Sequence, residues 1–227
     1  MRKVLAILFV LTAAVCHAAS PRGYFHTNPG TTLRYERHEP GSDVLVWTHT
    51  SRIGANKALE DGSMKVDFTT TIVSSKGKSP LKSPVSSHVI IHPDGTVELD
   101  VSRAAVVAAK QRFSAFDFTA SGGTSLLPAS MKPGDTLKDI HAVVAWSGIK
   151  YTIDYTERQV LRHETVTVPA GTFECIVVRE HKLEKAPLMK RDRITYTWYA
   201  LGYGMIRHDT YFTNGSMETT EQLTSII

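Results

Sequence analysis

Cysteine is almost missing from this 227-residue chain, which holds only Cys16 and Cys175. A framework of disulfides and a cysteine-based zinc site are both excluded, so stability must come from core burial. No apolar run reaches the roughly 18 to 20 residues needed to cross a bilayer as a helix. Charge of one sign is not in excess either. The formal net charge is +4, far from the basic imbalance of a nucleic-acid binder.

Familiar chemical motifs are also lacking. There is no Gly-x-Ser-x-Gly elbow, no His-Glu-x-x-His and no phosphate-cradling glycine loop ahead of a helix. Gly202-x-Gly204 falls in a β-rich stretch, where it reads as a bend. The ten histidines are scattered. His88 and His92 share a strand face but lie roughly 13 Å apart at about 3.3 Å per residue, too far to chelate one ion. No metal, cofactor or catalytic residue is therefore assigned. Carboxylate-pair chemistry leaves no mark in sequence, so Asp154, Glu157 and Glu164 stay open as a hydrolase alternative.

What is present begins with a leader. Arg2 and Lys3 precede the apolar run 4–15, which ends in Cys16-His17-Ala18-Ala19. This pattern predicts a signal peptide over residues 1–18, cleaved after Ala18, and a single β domain over 19–227. Cys16 follows Val15 rather than a small residue, which disfavours lipid attachment there. The expected location is the periplasm or cell envelope, with no transmembrane segment in the mature chain.

Two-residue alternation dominates the rest. Met64, Val66, Phe68, Thr70 and Ile72 form one face, and Lys65, Asp67, Thr69 and Thr71 the other. Val97, Leu99 and Val101 separate in the same way from Thr96, Glu98 and Asp100. Ile149, Tyr151, Ile153 and Tyr155 separate from Lys150, Thr152, Asp154 and Thr156. Pro93-Asp94-Gly95, Ser147-Gly148, Pro169-Ala170-Gly171 and Asn214-Gly215 supply turns, so neighbouring strands are antiparallel. Ten to twelve strands are expected.

The apolar phase changes from odd to even positions near Arg158, which predicts a bulge between Tyr155 and Val166. One stretch, 102–112, is alanine-rich and predicts a single helix opening on Ser102 as cap, with Phe113, Phe116 and Phe118 as anchors. The fold class is all-β: a curved antiparallel sheet, as half-barrel, barrel or two layers, with one short helix packed on it.

Aromatic side chains on apolar-leaning faces are the candidates for lining a ligand pocket: Trp47, Phe68, Trp146, Tyr151, Tyr155, Tyr196 and Trp198. Cys175, inside Phe173-Glu174-Cys175-Ile176-Val177-Val178, reads as a buried small hydrophobe. Two stretches are locally basic, 76–82 and 181–193. If both emerged at one end of the sheet, they could meet anionic lipid headgroups.

The runs Glu164-Thr165-Val166-Thr167-Val168-Pro169-Ala170-Gly171-Thr172-Phe173 and Trp198-Tyr199-Ala200-Leu201-Gly202-Tyr203-Gly204 resemble the TapB-like family of exported bacterial proteins, related to domain of unknown function 3108. Leu201 stands where that family is expected to carry proline. The resemblance implies an exported curved β-sheet domain and carries over no activity. Together these readings expect a non-catalytic envelope protein that binds an apolar or amphipathic ligand, such as a lipid, or an envelope partner. The alternatives are a glycan or lipid hydrolase and a structural assembly component.

Overall fold

The computed structural model describes residues 23–113 and 115–227; the expected leader, its expected cleavage point and Cys16 lie outside them. Thirteen strands follow in chain order: β1 (Thr32–His38), β2 (Leu45–Ala58), β3 (Met64–Ser74), β4 (Val85–Ile91), β5 (Val97–Asp100), β6 (Thr119–Gly122), β7 (Thr124–Leu127), β8 (Ile140–Trp146), β9 (Ile149–Val168), β10 (Gly171–Ala186), β11 (Met189–Ala200), β12 (Gly204–Phe212) and β13 (Met217–Ile226). A helix, α1 (Val101–Arg112), joins β5 to β6.

All strands belong to one antiparallel sheet in the order β6-β8-β9-β10-β11-β12-β13-β1-β2-β3-β4-β5-β7. Its two edge strands, β6 and β7, are separated in sequence only by Gly123. The chain itself therefore bridges the seam of a nearly closed barrel. Gly123 also donates its N–H to His141 O at 2.7 Å and accepts from Val101 N–H at 3.3 Å. Closure of this kind leaves no long unpaired edge.

Four hairpins share one recipe. In Glu60-Asp61-Gly62, Ser75-Lys76-Gly77, Pro93-Asp94-Gly95 and Thr213-Asn214-Gly215, the residue before the loop accepts from the glycine N–H and donates its own N–H to the residue after it. Each glycine has φ between 73° and 87°. This is the three-residue hairpin loop, a turn followed by a left-handed glycine. Asn214-Gly215 thus sits in a three-residue loop rather than a two-residue one. Ser147-Gly148, with φ of 46° and 79°, is a two-residue turn.

The phase change in β9 resolves into two bulges. Gln159 pairs with Arg179 and Thr156 with His181, so Glu157 and Arg158 together face Glu180. Glu157 has φ of 51°, and the extra residue turns Arg158 inward. A second slip follows, because Val160 pairs with Val178 whereas Arg162 pairs with Val177. Val160 and Val166 consequently lie on opposite faces, and β9 buries both of them.

The helix departs from expectation at its start. Asp100, not Ser102, is the cap: its carboxylate accepts Ser102 N–H at 2.8 Å. Ser102 is already inside the first turn, because an aspartate at the end of β5 captures the free N–H first. Val101, Ala105 and Ala109 pack on Ile140, Ala142 and Val144 of β8. Close contact there depends on Gly122, where a Cβ would meet Val101, Ser102 and Ala142 at 3.2–3.3 Å. Phe113, Phe116 and Phe118 all close on Trp146, with ring centroids 5.1–5.7 Å away.

The segment from Gly23 closes one end of the barrel. Gly23 O accepts from Gly202 N–H, Thr27 O from Asn56, and Gly30 N–H reaches Ile53 O. A Cβ on Gly23 would stand 2.5 Å from Val97 and 2.7 Å from Gly95 O, so only glycine fits.

Candidate functional site: an amphipathic hollow

A cavity of about 420 Å³ lies between the sheet and α1. Its size falls among small-molecule sites, which run from roughly 300 to 1,000 Å³. Two walls of different chemistry line it. One is apolar and built from β2 to β5 and β7, with Ile53, Phe68, Ile72, Val89, Leu99 and Leu127 pointing inward. The helix adds small side chains to this wall, Ala104, Ala108 and Val107, with Arg103 and Gln111 beside them. Their spacing of three and four residues places them on one helix face. Tyr24 and Phe25 form the floor.

The facing wall, from β9 through β13 to β1, is charged. Arg37, Arg158, Glu180, Lys182, Glu184 and Glu221 all line it. Glu221 is 3% exposed and accepts from Arg37 Nε at 2.8 Å and His49 Nδ1 at 3.1 Å. Burial pushes its pKa upward, but Arg37, His49 and His208 outweigh that and hold the carboxyl well below the usual range.

Arg158 donates from Nε to Glu180 at 2.6 Å and from Nη1 to Lys138 O at 2.7 Å. Lys182 lies 3.6 Å and Arg191 3.3 Å from Glu184, which also accepts from the Tyr151 hydroxyl. Burial lowers the His208 pKa to about 4, so its ring is neutral at pH 7, with Nδ1 2.9 Å from Thr197 Oγ1. Burial also pushes the Tyr35, Tyr155 and Tyr199 hydroxyls far up, which keeps them as donors.

Of the aromatic residues singled out in the sequence, Trp47, Phe68 and Tyr155 line the hollow. The structure places the other four elsewhere. Trp146 anchors the phenylalanines after the helix. Tyr151 is fully buried against Phe113. Trp198 carries Arg207 over its ring and donates to Glu164 at 3.1 Å, and Tyr196 packs between Trp198 and Tyr211. Strand parity separates them: Thr197 and Tyr199 point into the hollow, so Tyr196 and Trp198 point out. The charged residues of the second wall escaped sequence reading because alternation marks them as a wet face.

The acids left open for hydrolysis do not line the hollow. Asp154 pairs with His141, Glu157 with Arg179 and Glu164 with Arg162. Glu180, Glu184 and Glu221 do line it, each engaged by an arginine (Arg158, Arg191 and Arg37), and the four-residue spacing of Glu180 and Glu184 on β10 puts their Cα atoms roughly 13 Å apart. Among the described residues, no three His, Cys, Asp or Glu converge to hold a metal ion, and no helix is long and apolar enough to cross a membrane. Cys175 is buried, and burial together with Glu164 and Glu174 pushes its thiol up to about 12, so it is no nucleophile.

Among the described residues, a nearly closed antiparallel barrel with one helix around a two-sided hollow defines an all-β cavity protein. The family model described as DUF3108-like matches residues 48–223, and the chain belongs to that family. Two solved structures share the fold. One is a protein from Bacteroides fragilis assigned as exported, with a YmcC-like fold (TM-score 0.76, 20% identity, covering 91% of this chain and 99% of the other). The other is a protein from Parabacteroides distasonis assigned as a lipoprotein (TM-score 0.78, 14% identity, 92% and 100% covered). No curated protein matches the chain.

Proposed function

We propose that this is a non-catalytic binding protein of the bacterial envelope that encloses an amphipathic, lipid-like ligand, with its chain against the β2–β5 wall and its polar head toward Arg37, Lys182, Glu184 and Glu221. The observation that carries this reading is the juxtaposition of the two walls across one hollow. Folding alone does not favour it. A buried ion pair is often matched or exceeded in stability by well-packed apolar residues, so a wall of such pairs beside an apolar cavity needs another reason. A ligand with two chemistries supplies one.

An envelope location is supported by the leader at residues 1–18 and by the exported and lipoprotein assignments of the two structural relatives. The reading as a structural assembly component that pairs through sheet edges has less support, since both edge strands are only four residues long. Native mass spectrometry and lipid extraction of the exported protein test the proposal. An acyl-chain compound should be recovered, or a fluorescent fatty-acid probe should bind stoichiometrically. Recovery of nothing, with no probe uptake, would overturn it.

A further inference from the structure

The antiparallel order sends alternate connections to the same end of the barrel. Opposite the end closed by Gly23, one rim gathers loops 39–44, 75–84, 147–148, 187–188 and 213–216, together with 113–118 after the helix. Contacts join them. Lys82 reaches Asp117 at 3.1 Å, and Ala186 and Met189 pack with Phe113 against the Trp146 cluster. Arg193 lies 4.3 Å over the Phe212 ring at the next hairpin.

Eight large apolar side chains are exposed among the described residues, and five stand on this rim: Val44, Phe116, Ile149, Leu188 and Phe212. Leu188 is the extreme, at 109% exposure, and its φ is 63°. It follows Pro187 in a two-residue turn whose second position ordinarily goes to glycine or asparagine. An apolar side chain here carries both a conformational and a solvation cost, and water alone repays neither.

Charge is segregated in the same direction. Lys76, Lys78, Lys82, Lys150, Lys185 and Lys190 are exposed on the rim, against Glu39, Asp43 and Asp117, the last bridged by Lys82. At the opposite end, Glu60, Asp61, Asp94, Asp135 and Asp139 offset Lys57, Lys65, Lys132 and Lys138, so no lysine excess forms there. Exposed apolar tips set among lysines match the interface of an anionic bilayer, where apolar groups enter the headgroup region and ammonium groups meet phosphates. We infer that this rim docks the protein on an anionic lipid surface, with Leu188 inserted and Lys185 and Lys190 beside it. The inference does not depend on the hollow being filled.

Co-sedimentation tests it, using the exported protein and vesicles of phosphatidylcholine with or without about a third phosphatidylglycerol. Wild type should bind the anionic vesicles at least about tenfold more strongly than the neutral ones, and lose that preference at high salt. Leu188→Asn and the pair Lys185→Glu with Lys190→Glu should each weaken binding severalfold while keeping the thermal midpoint and fatty-acid probe uptake of wild type. Equal binding to both vesicles, or full binding by the variants, overturns the inference. Retention on polyglutamate resin with no vesicle binding overturns it in favour of an acidic protein partner.

Discussion

Arg158 and Glu180 stand against each other in the barrel interior, 1% and 5% exposed, with Nε 2.6 Å from Oε1. The bulge at Glu157 makes this possible, since regular alternation from Tyr155 would carry position 158 outward. Each charge is tolerable only because the other is present. Arg158→Met alone should destabilise by about 3–5 kcal/mol, because it strands a buried carboxylate. The double variant Arg158→Met with Glu180→Leu should recover most of that loss. Urea denaturation of the two variants beside wild type measures it, and a double variant as unstable as the single would refute the coupling.

Acid should loosen the charged wall in a defined window. His208 has its folded pKa lowered to about 4 from 6.5, so between those values the unfolded chain binds a proton that the folded one refuses. Stability contributed by the neutral ring is complete above about pH 6.5 and is lost as the pH falls toward 4, by an amount on the order of 2–3 kcal/mol. Glu221, with its depressed pKa, adds a loss at still lower pH. A His208→Gln variant should show a flatter thermal midpoint between pH 6.5 and 4 than wild type.

Filling the hollow should abolish binding without unfolding the barrel. Ala108 lines the cavity from the helix and also packs against the core beneath it. Ala108→Phe should reduce uptake of a fatty-acid probe by about tenfold or more and shift stability by less than about 1.5 kcal/mol. Undiminished uptake would place the ligand elsewhere.

Cys175 should be silent until the chain opens. Its thiol is pushed up to about 12, and its side chain packs with Val177, Trp198 and Ala200. Aromatic disulfide reagents at pH 8 should label native protein slower than denatured protein by about a hundredfold or more. Rapid native labelling would show local opening at the start of β10.

Packing between α1 and β6 should be sensitive to one carbon. Gly122→Ala places a methyl 3.2 Å from Ala142 Cβ and 3.3 Å from Val101 and Ser102. A loss of about 1–3 kcal/mol is expected in denaturation, the cost of overpacking a close contact. No change would mean that the helix can shift outward freely.

What the sequence determined by itself was local: the alternation at 64–72 and 149–155, the turn glycines, the helix near 102–112 and the phase change at Arg158. Each depends on neighbours a few residues away, through strand pleat, turn dihedrals or helix pitch. Family membership was also legible, from the runs at 164–173 and 198–204. The tertiary structure alone decided that β6 and β7 meet across Gly123, that Asp100 rather than Ser102 caps the helix, and that Arg37, Glu180 and Glu221 face a cavity instead of solvent. Alternation tells which side chains share a face but not what lies opposite that face. A charged row reads as wet whether it looks onto bulk water or across a hollow at Ile72 and Val89, and only the curvature of the whole sheet distinguishes the two.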